Sequence, residues 1–242
     1  MAKVLTMKDF PSSWFVITAD QVGSRTAPDA VPIALQTLGA ANLGMRLDFE
    51  RTVGDEIQGL TASIDDVLAA IKVLTRLSRW RIGVGVGPVE LPLAATSRAA
   101  RGPAFIAARD AVTAAYRAPS EIALRTVAGA GDAFPPDGAR GVSGGLYARY
   151  CSAQDRADSA LTIWRALIRR RTDEGWQAVT LVESGVSHRE AARRLGVSES
   201  AVSQRLARAR LAESVAAERL AACELADLLA APPDAPLPGT PR

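Results

Sequence analysis

Two aspartates stand where the chain turns. Asp20 closes the run WFVITAD, and Asp55 sits in RTVGDE between two short alternating segments. Paired carboxylates with few other ligands favour a hard divalent cation such as Mg²⁺, which in turn holds phosphate oxygens. A turn at Val22-Gly23-Ser24, directly after Asp20, leaves backbone N–H groups facing the same phosphates. The expectation is a metal pair, Asp20 and Asp55, holding Mg²⁺ with phosphates. The alternative stays open that both aspartates simply suit turns.

A second chemistry is concentrated in SHREAARRLGVSESAVSQRLARARL, residues 187–211. Arginines at 189, 193, 194, 205, 208 and 210 face only Glu190 and Glu199, the charge balance of a phosphate-facing module. Ser187 with Glu190 forms a capping-box pattern. Gly196 suits a left-handed helix end, Val197 plugs the turn, and Ser198 opens a second helix. Val202, Leu206 and Ala209 form that helix's buried stripe, which leaves Ser200, Ser203, Gln204, Ala207 and Arg208 outside. Short polar side chains are what a helix in a DNA major groove needs. The DNA-facing set is therefore Arg193, Arg194, Ser198, Ser200, Ser203, Gln204, Arg205 and Arg208. Ser200, Ser203 and Gln204 are assigned to base edges and the arginines to phosphates. The plainer alternative is a three-helix packing unit with an arginine-rich solvated face.

Other chemistry is thin. Cys151 and Cys223 lack the spacing of a metal site or a disulfide framework. His188 opens the first of those helices and reads as a surface or phosphate contact. No Ser/His/Asp or Cys/His set exists, so no catalytic residue is assigned. GVGVG at 83–87 looks like a phosphate loop, but no helix follows it directly, and glycines in a strand more often mark close packing.

The elements that must position these residues follow from periodicity. Strands are expected at 14–19, 47–53, 56–60, 80–86 and 122–127. Helices are expected at 31–44, from Ser63 to Leu77, and from Gly102-Pro103 to about Arg117. The first six elements of this β-α-β-β-α-β-α-β order form the ferredoxin-like split βαβ arrangement, with helices on one face of an antiparallel sheet. Gly129 to Gly145 reads as linker or long loop. Helical patterns resume at 146–171, around Trp176, Val179 and Val182, and at 211–231, before a Pro-rich tail. With 242 residues and 48% hydrophobic composition, the chain can build two cores. No run reaches membrane-spanning length and the start lacks a signal-peptide core, so a reducing, cytoplasmic protein is expected.

The runs FVITADQVGSR, DFERTVGDEIQGL, WRIGVGVGPVEL and RGPAFIAARDAV resemble the SatD family of bacterial proteins. Their spacing is also similar to class III nucleotidyl cyclases and, more loosely, to palm domains with GGDEF motifs. The likeness implies a cyclase-palm fold in which Asp20 and Asp55 bind metal. It also implies that Arg109, in Ala107-Ala108-Arg109, meets a triphosphate. Arg51 falls where cyclases carry a base-selecting lysine, and Phe105 where they carry an asparagine. The implied nucleotide-binding set is thus Asp20, Gly23, Arg51, Asp55 and Arg109, with binding but little or no turnover. AARRLGVSESAVSQRLARARL resembles both the helix-turn-helix of SatD-like proteins and region 4 of sigma factors.

The resulting expectation is an α+β protein. A ferredoxin-like/cyclase-palm βαββαβ domain at 10–130 is followed by a linker at 131–145. An all-α helix-turn-helix domain spans 146–231, and a disordered tail spans 232–242. It would be a transcriptional regulator that binds duplex DNA as a homodimer, with a nucleotide ligand or a dimerisation role for the first domain and no membrane partner. One rival is a metal-dependent nucleotidyl cyclase or transferase gated by the helical domain. Another is a purely protein-binding accessory.

Overall fold

The computed structural model describes residues 12–127 and 152–230. The first half runs β1 (Trp14–Gln21), α1 (Val31–Ala40), β2 (Leu47–Arg51), β3 (Glu56–Thr61), α2 (Ile64–Leu77), β4 (Trp80–Gly87), α3 (Pro103–Ala115) and β5 (Ile122–Thr126). The second half is helical: α4 (Ala153–Ile168), α5 (Asp173–Glu183), α6 (His188–Leu195), α7 (Glu199–Arg208) and α8 (Leu211–Ala230). The protein is an α+β mixed-sheet domain followed by an all-α helical domain. The expected linker and tail, and the start of the helical pattern at 146–151, lie outside the described residues.

The five-stranded sheet has the order β2-β3-β1-β4-β5. β1 is antiparallel to both β3 and β4, and β2 is antiparallel to β3. That is the split βαβ order anticipated for the first six elements. β5 adds parallel to β4, so the sheet is mixed rather than antiparallel. A parallel neighbour requires a crossover, and α3 supplies it.

The crossover corrects the expectation of helices on one face. Strand alternation sends Phe15, Ile17 and Ala19 into a cluster with Val31, Leu38, Ile71 and Leu74 of α1 and α2. Trp14 and Val16 point the other way and meet Ala104 and Ala108 of α3. The reason α3 fits there is glycine. A Cβ at Gly83 would stand 2.2 Å from the Val112 nitrogen, and one at Gly85 2.2 Å from the Ala104 oxygen. GVGVG is thus a bed for a helix backbone, not a phosphate loop.

α4 closes the β5 edge. The Leu124 N–H donates to Asp158 Oδ1 at 2.6 Å and the Thr126 N–H to Gln154 Oε1 at 2.8 Å, which blocks strand addition there. Arg165 is 1% exposed and enters the sheet domain from α4. Its Nε donates to Thr75 Oγ1 at 3.2 Å and its Nη1 to the Ser120 carbonyl at 2.6 Å, with the Glu121 and Trp80 carbonyls also accepting. Burial lowers its pKa to about 10, so it stays cationic at neutral pH. Trp164 and Ile168 of α4 and Ala221 and Leu225 of α8 join the same cluster as the sheet. α5, α6 and α7 carry a separate small core.

Candidate nucleic-acid interface

The three-helix unit is held by Ala178, Val179, Ala191, Ala192, Val202, Leu206 and Ala209. Its local chemistry explains its shape. The Ser187 hydroxyl accepts the Glu190 N–H at 3.2 Å and starts α6. Gly196 ends α6 at φ +66°, and Val197 packs into the small core. The Ser198 hydroxyl accepts the Ala201 N–H at 3.1 Å and starts α7. Alanines at 191 and 192 leave room for α7 to cross closely.

With Val202 and Leu206 buried, α7 turns Ser200, Ser203, Gln204, Ala207 and Arg208 to the outside, and Arg205 is half-buried. Ser203 donates to the Glu199 carbonyl at 3.1 Å, and the Ser198 oxygen is committed to its cap. Among the described residues no such bond engages Gln204 or Ser200.

The arginines divide into two groups. Arg193 Nη2 and Arg194 Nε each lie 2.7 Å from Glu190 Oε1, and these two guanidinium groups hold the Glu190 carboxyl down to about 2. The expected reciprocal capping bond from Glu190 is absent because its carboxylate is turned to these arginines. Arg189 pairs with Glu199 at 3.3 Å and Arg210 with Glu213 at 2.9 Å. Arg205 and Arg208, by contrast, line an open depression of about 340 Å³ together with Arg170 and Glu174. Arg170 and its neighbour Arg171 were missed from sequence, although the run Arg169-Arg170-Arg171 was the available signal. Arg171 is buried. Its Nε donates to the Ala209 carbonyl at 3.1 Å, its Nη2 to Ser214 Oγ at 2.6 Å, and its guanidinium lies 4.7 Å from the Trp176 ring centre.

The sheet end gathers the other predicted residues differently from expectation. Asp20 lies opposite Glu56 and Arg81 in the strand register, and Asp55 directly precedes Glu56, so the two aspartates are neighbours. Tyr116, just past α3, donates its hydroxyl to Asp20 Oδ2 at 2.5 Å, and Arg81 Nη1 lies 3.6 Å from the same oxygen. The Arg81 guanidinium stacks 4.0 Å from the Tyr116 ring centre. Burial raises the Asp20 pKa, the Tyr116 hydrogen bond opposes it, and the Asp55 charge adds to the rise.

The Mg²⁺ expectation is overturned here. Among the described residues no group of three or more His, Cys, Asp or Glu side chains could hold a metal ion. Asp20 Oδ2 is already engaged by the Tyr116 phenol and the Arg81 guanidinium, a cation standing where a metal ion would have to sit. The remaining nucleotide candidates are dispersed or occupied. Arg51 Nη2 pairs with Asp29 and its Nη1 donates to the Gly54 carbonyl at 2.9 Å. The Val22 N–H donates to the Arg79 carbonyl at 2.7 Å, and Gly23, at φ +75°, accepts from Thr26 and Ala27 within its own turn. Arg109 is exposed on α3.

The architecture defines a class: a mixed-sheet domain carrying a helical helix-turn-helix domain. Residues 177–212, from within α5 to the first turn of α8, match the family model of sigma-70, region 4. No curated protein and no solved structure matches the chain. The family match does not reach the first half, where the SatD and cyclase likeness rests on motifs alone. Among the described residues no helix is long and apolar enough to cross a membrane.

Proposed function

We propose that the protein is a transcriptional regulator that binds duplex DNA through α7 and acts as a homodimer, with the sheet domain as the platform that orients the helices. The observation that carries this reading is the two-sidedness of α7. Val202 and Leu206 are buried, while Ser200, Gln204 and Arg208 stand clear in the segment that matches sigma-70, region 4. Gln204 has the donor and acceptor pair that reads adenine in the major groove, and Arg208 the charge that meets a phosphate. Arg193 and Arg194 are exposed on the preceding helix and would meet phosphates by giving up Glu190, whose carboxyl they hold in the free protein.

The test is a mobility-shift titration of the full chain on duplexes of unrelated sequence. Arg208→Ala weakens binding to all of them alike and lowers the salt slope by about one unit. Unchanged affinity for every duplex would contradict the docking.

A further inference from the structure

The sigma-like match begins at residue 177, yet one element outside it reaches the same surface. We propose that Arg170, which follows α4, joins Arg205 and Arg208 in seating a backbone phosphate of the bound duplex. This inference rests on the DNA-binding reading and extends the contact beyond the helix-turn-helix itself.

Three observations support it. First, Arg170, Thr172, Glu174, Gly175, Arg205 and Arg208 line one open depression, so the end of α4 and the C-terminal part of α7 face a common space. Second, the three arginines of the depression are uncommitted. Arg169 pairs with Glu121, and Arg189, Arg193, Arg194 and Arg210 all pair with glutamates, but among the described residues Arg170, Arg205 and Arg208 form no ion pair. Third, the placement is fixed. The adjacent Arg171 is buried and ties this backbone to the Ala209 carbonyl and to Ser214, so Arg170 is held beside the end of α7. With the backbone anchored, only the exposed Arg170 side chain remains to be ordered on binding.

The α5 N-terminus is not the source of the attraction. Thr172 already caps it by accepting the Gly175 N–H at 3.2 Å. Glu174, the one acid in the depression, is held below its usual range by its own backbone N–H first and by Thr172 second. Three guanidinium groups therefore face one carboxylate that is turned toward the helix end. The depression lies along α7 beyond Gln204, on the side of Arg208. A helix inserted in a major groove meets a phosphate strand beyond its base-reading residues, so a strand is the occupant this geometry favours.

The experiment is fluorescence anisotropy of the full chain on an arbitrary 30-base-pair duplex across a fourfold range of chloride, comparing wild type, Arg170→Ala and Glu174→Gln. Each variant is first checked for a cooperative melt: the exposed Arg170 predicts an unchanged midpoint for Arg170→Ala, and the carboxylate held at the α5 N-terminus predicts a small decrease for Glu174→Gln. Removing one phosphate contact makes the affinity loss across that range about threefold smaller for Arg170→Ala than for wild type. Glu174→Gln tightens binding. Wild-type binding with an unaltered Arg170→Ala slope overturns the inference while leaving the DNA reading intact. No wild-type binding to any duplex overturns both. In a second arm, inorganic phosphate replaces chloride at equal ionic strength. A phosphate-dependent melting shift that Arg170→Ala abolishes without changing duplex affinity would mark a free-anion site and overturn the strand as occupant.

Discussion

Burial, more than any partner, sets the charge of Asp20. Its carboxyl is raised above the ordinary range by desolvation, with Asp55 adding to the rise and Tyr116 opposing it. A carboxyl with a raised folded-state pKa holds its proton more tightly folded than unfolded, so its contribution to stability is complete below its ordinary pKa of 3.8 and is lost as pH rises through the folded value. Asp20→Asn does not titrate. Its melting midpoint relative to wild type therefore shifts in favour of the variant as pH goes from 4 to 7. Parallel midpoints across that range would show that Asp20 titrates as an ordinary surface acid. The adjacency of Asp20 and Asp55 was readable from ITADQVGS and RTVGDE, because both motifs end strands that the split βαβ order brings together. What the sequence hid was the occupancy of the site. Tyr116 lies 96 positions from Asp20 and Arg81 arrives from β4, so neither partner has a local signature. The same holds for Glu190, whose spacing from Ser187 suits a capping box and whose spacing from Arg193 and Arg194 equally suits ion pairs. The pairs win in the structure.

Elements were legible wherever alternation or helical period was strong. β1, β3, β4, α2 and the α6–turn–α7 unit fall where the apolar pattern places them, and the Ser63, Ser187 and Ser198 caps and the Gly196 stop are all used. Ends were less legible. α1 stops at Ala40 rather than Gly44, with Asn42 taking φ +51°, and β2 stops at Arg51 rather than Val53. The face chosen by α3 could not be read, because its alanines suit either side of the sheet and only the partner's missing side chains decide. That dependence yields a prediction. Gly85→Ala places a methyl group 2.3 Å from the Ala108 nitrogen, which α3 cannot relieve without lifting from β4. Urea denaturation should show a loss of about 3 kcal/mol or more, the upper range for overpacking. A loss within 0.5 kcal/mol, the scale of a neutral surface change, would mean that α3 does not lie on these glycines.

At the scale of the molecule, the two domains are tied by a buried cation and by shared apolar packing. Arg165 crosses from α4 to three carbonyls and a hydroxyl of the sheet domain, Lys72 of α2 meets Glu183 of α5 at 2.9 Å, and α8 packs with α4 in the sheet's own cluster. No local pattern signals this, since a buried arginine reads like any surface one. Arg165→Met should leave several buried acceptors unmade, at a cost of about 3 kcal/mol or more. In a chain of this size that lowers the melting midpoint by about 6 °C or more. Far-ultraviolet circular dichroism and tryptophan fluorescence should report one shared transition. Two transitions, with only one moved, would show that the domains unfold independently. A fixed platform of this kind presents α7 in one orientation, and that orientation is what the functional account depends on. Selection of bound duplexes from a random library, with wild type and Gln204→Ala in parallel, tests it most directly. Wild type should enrich a motif of paired half-sites, about 34–36 Å apart or a multiple of that, as a two-fold dimer requires. Gln204→Ala should lose the preference for adenine at one position of each half-site while still binding. No enriched motif with wild type, or an identical motif from both proteins, would contradict it.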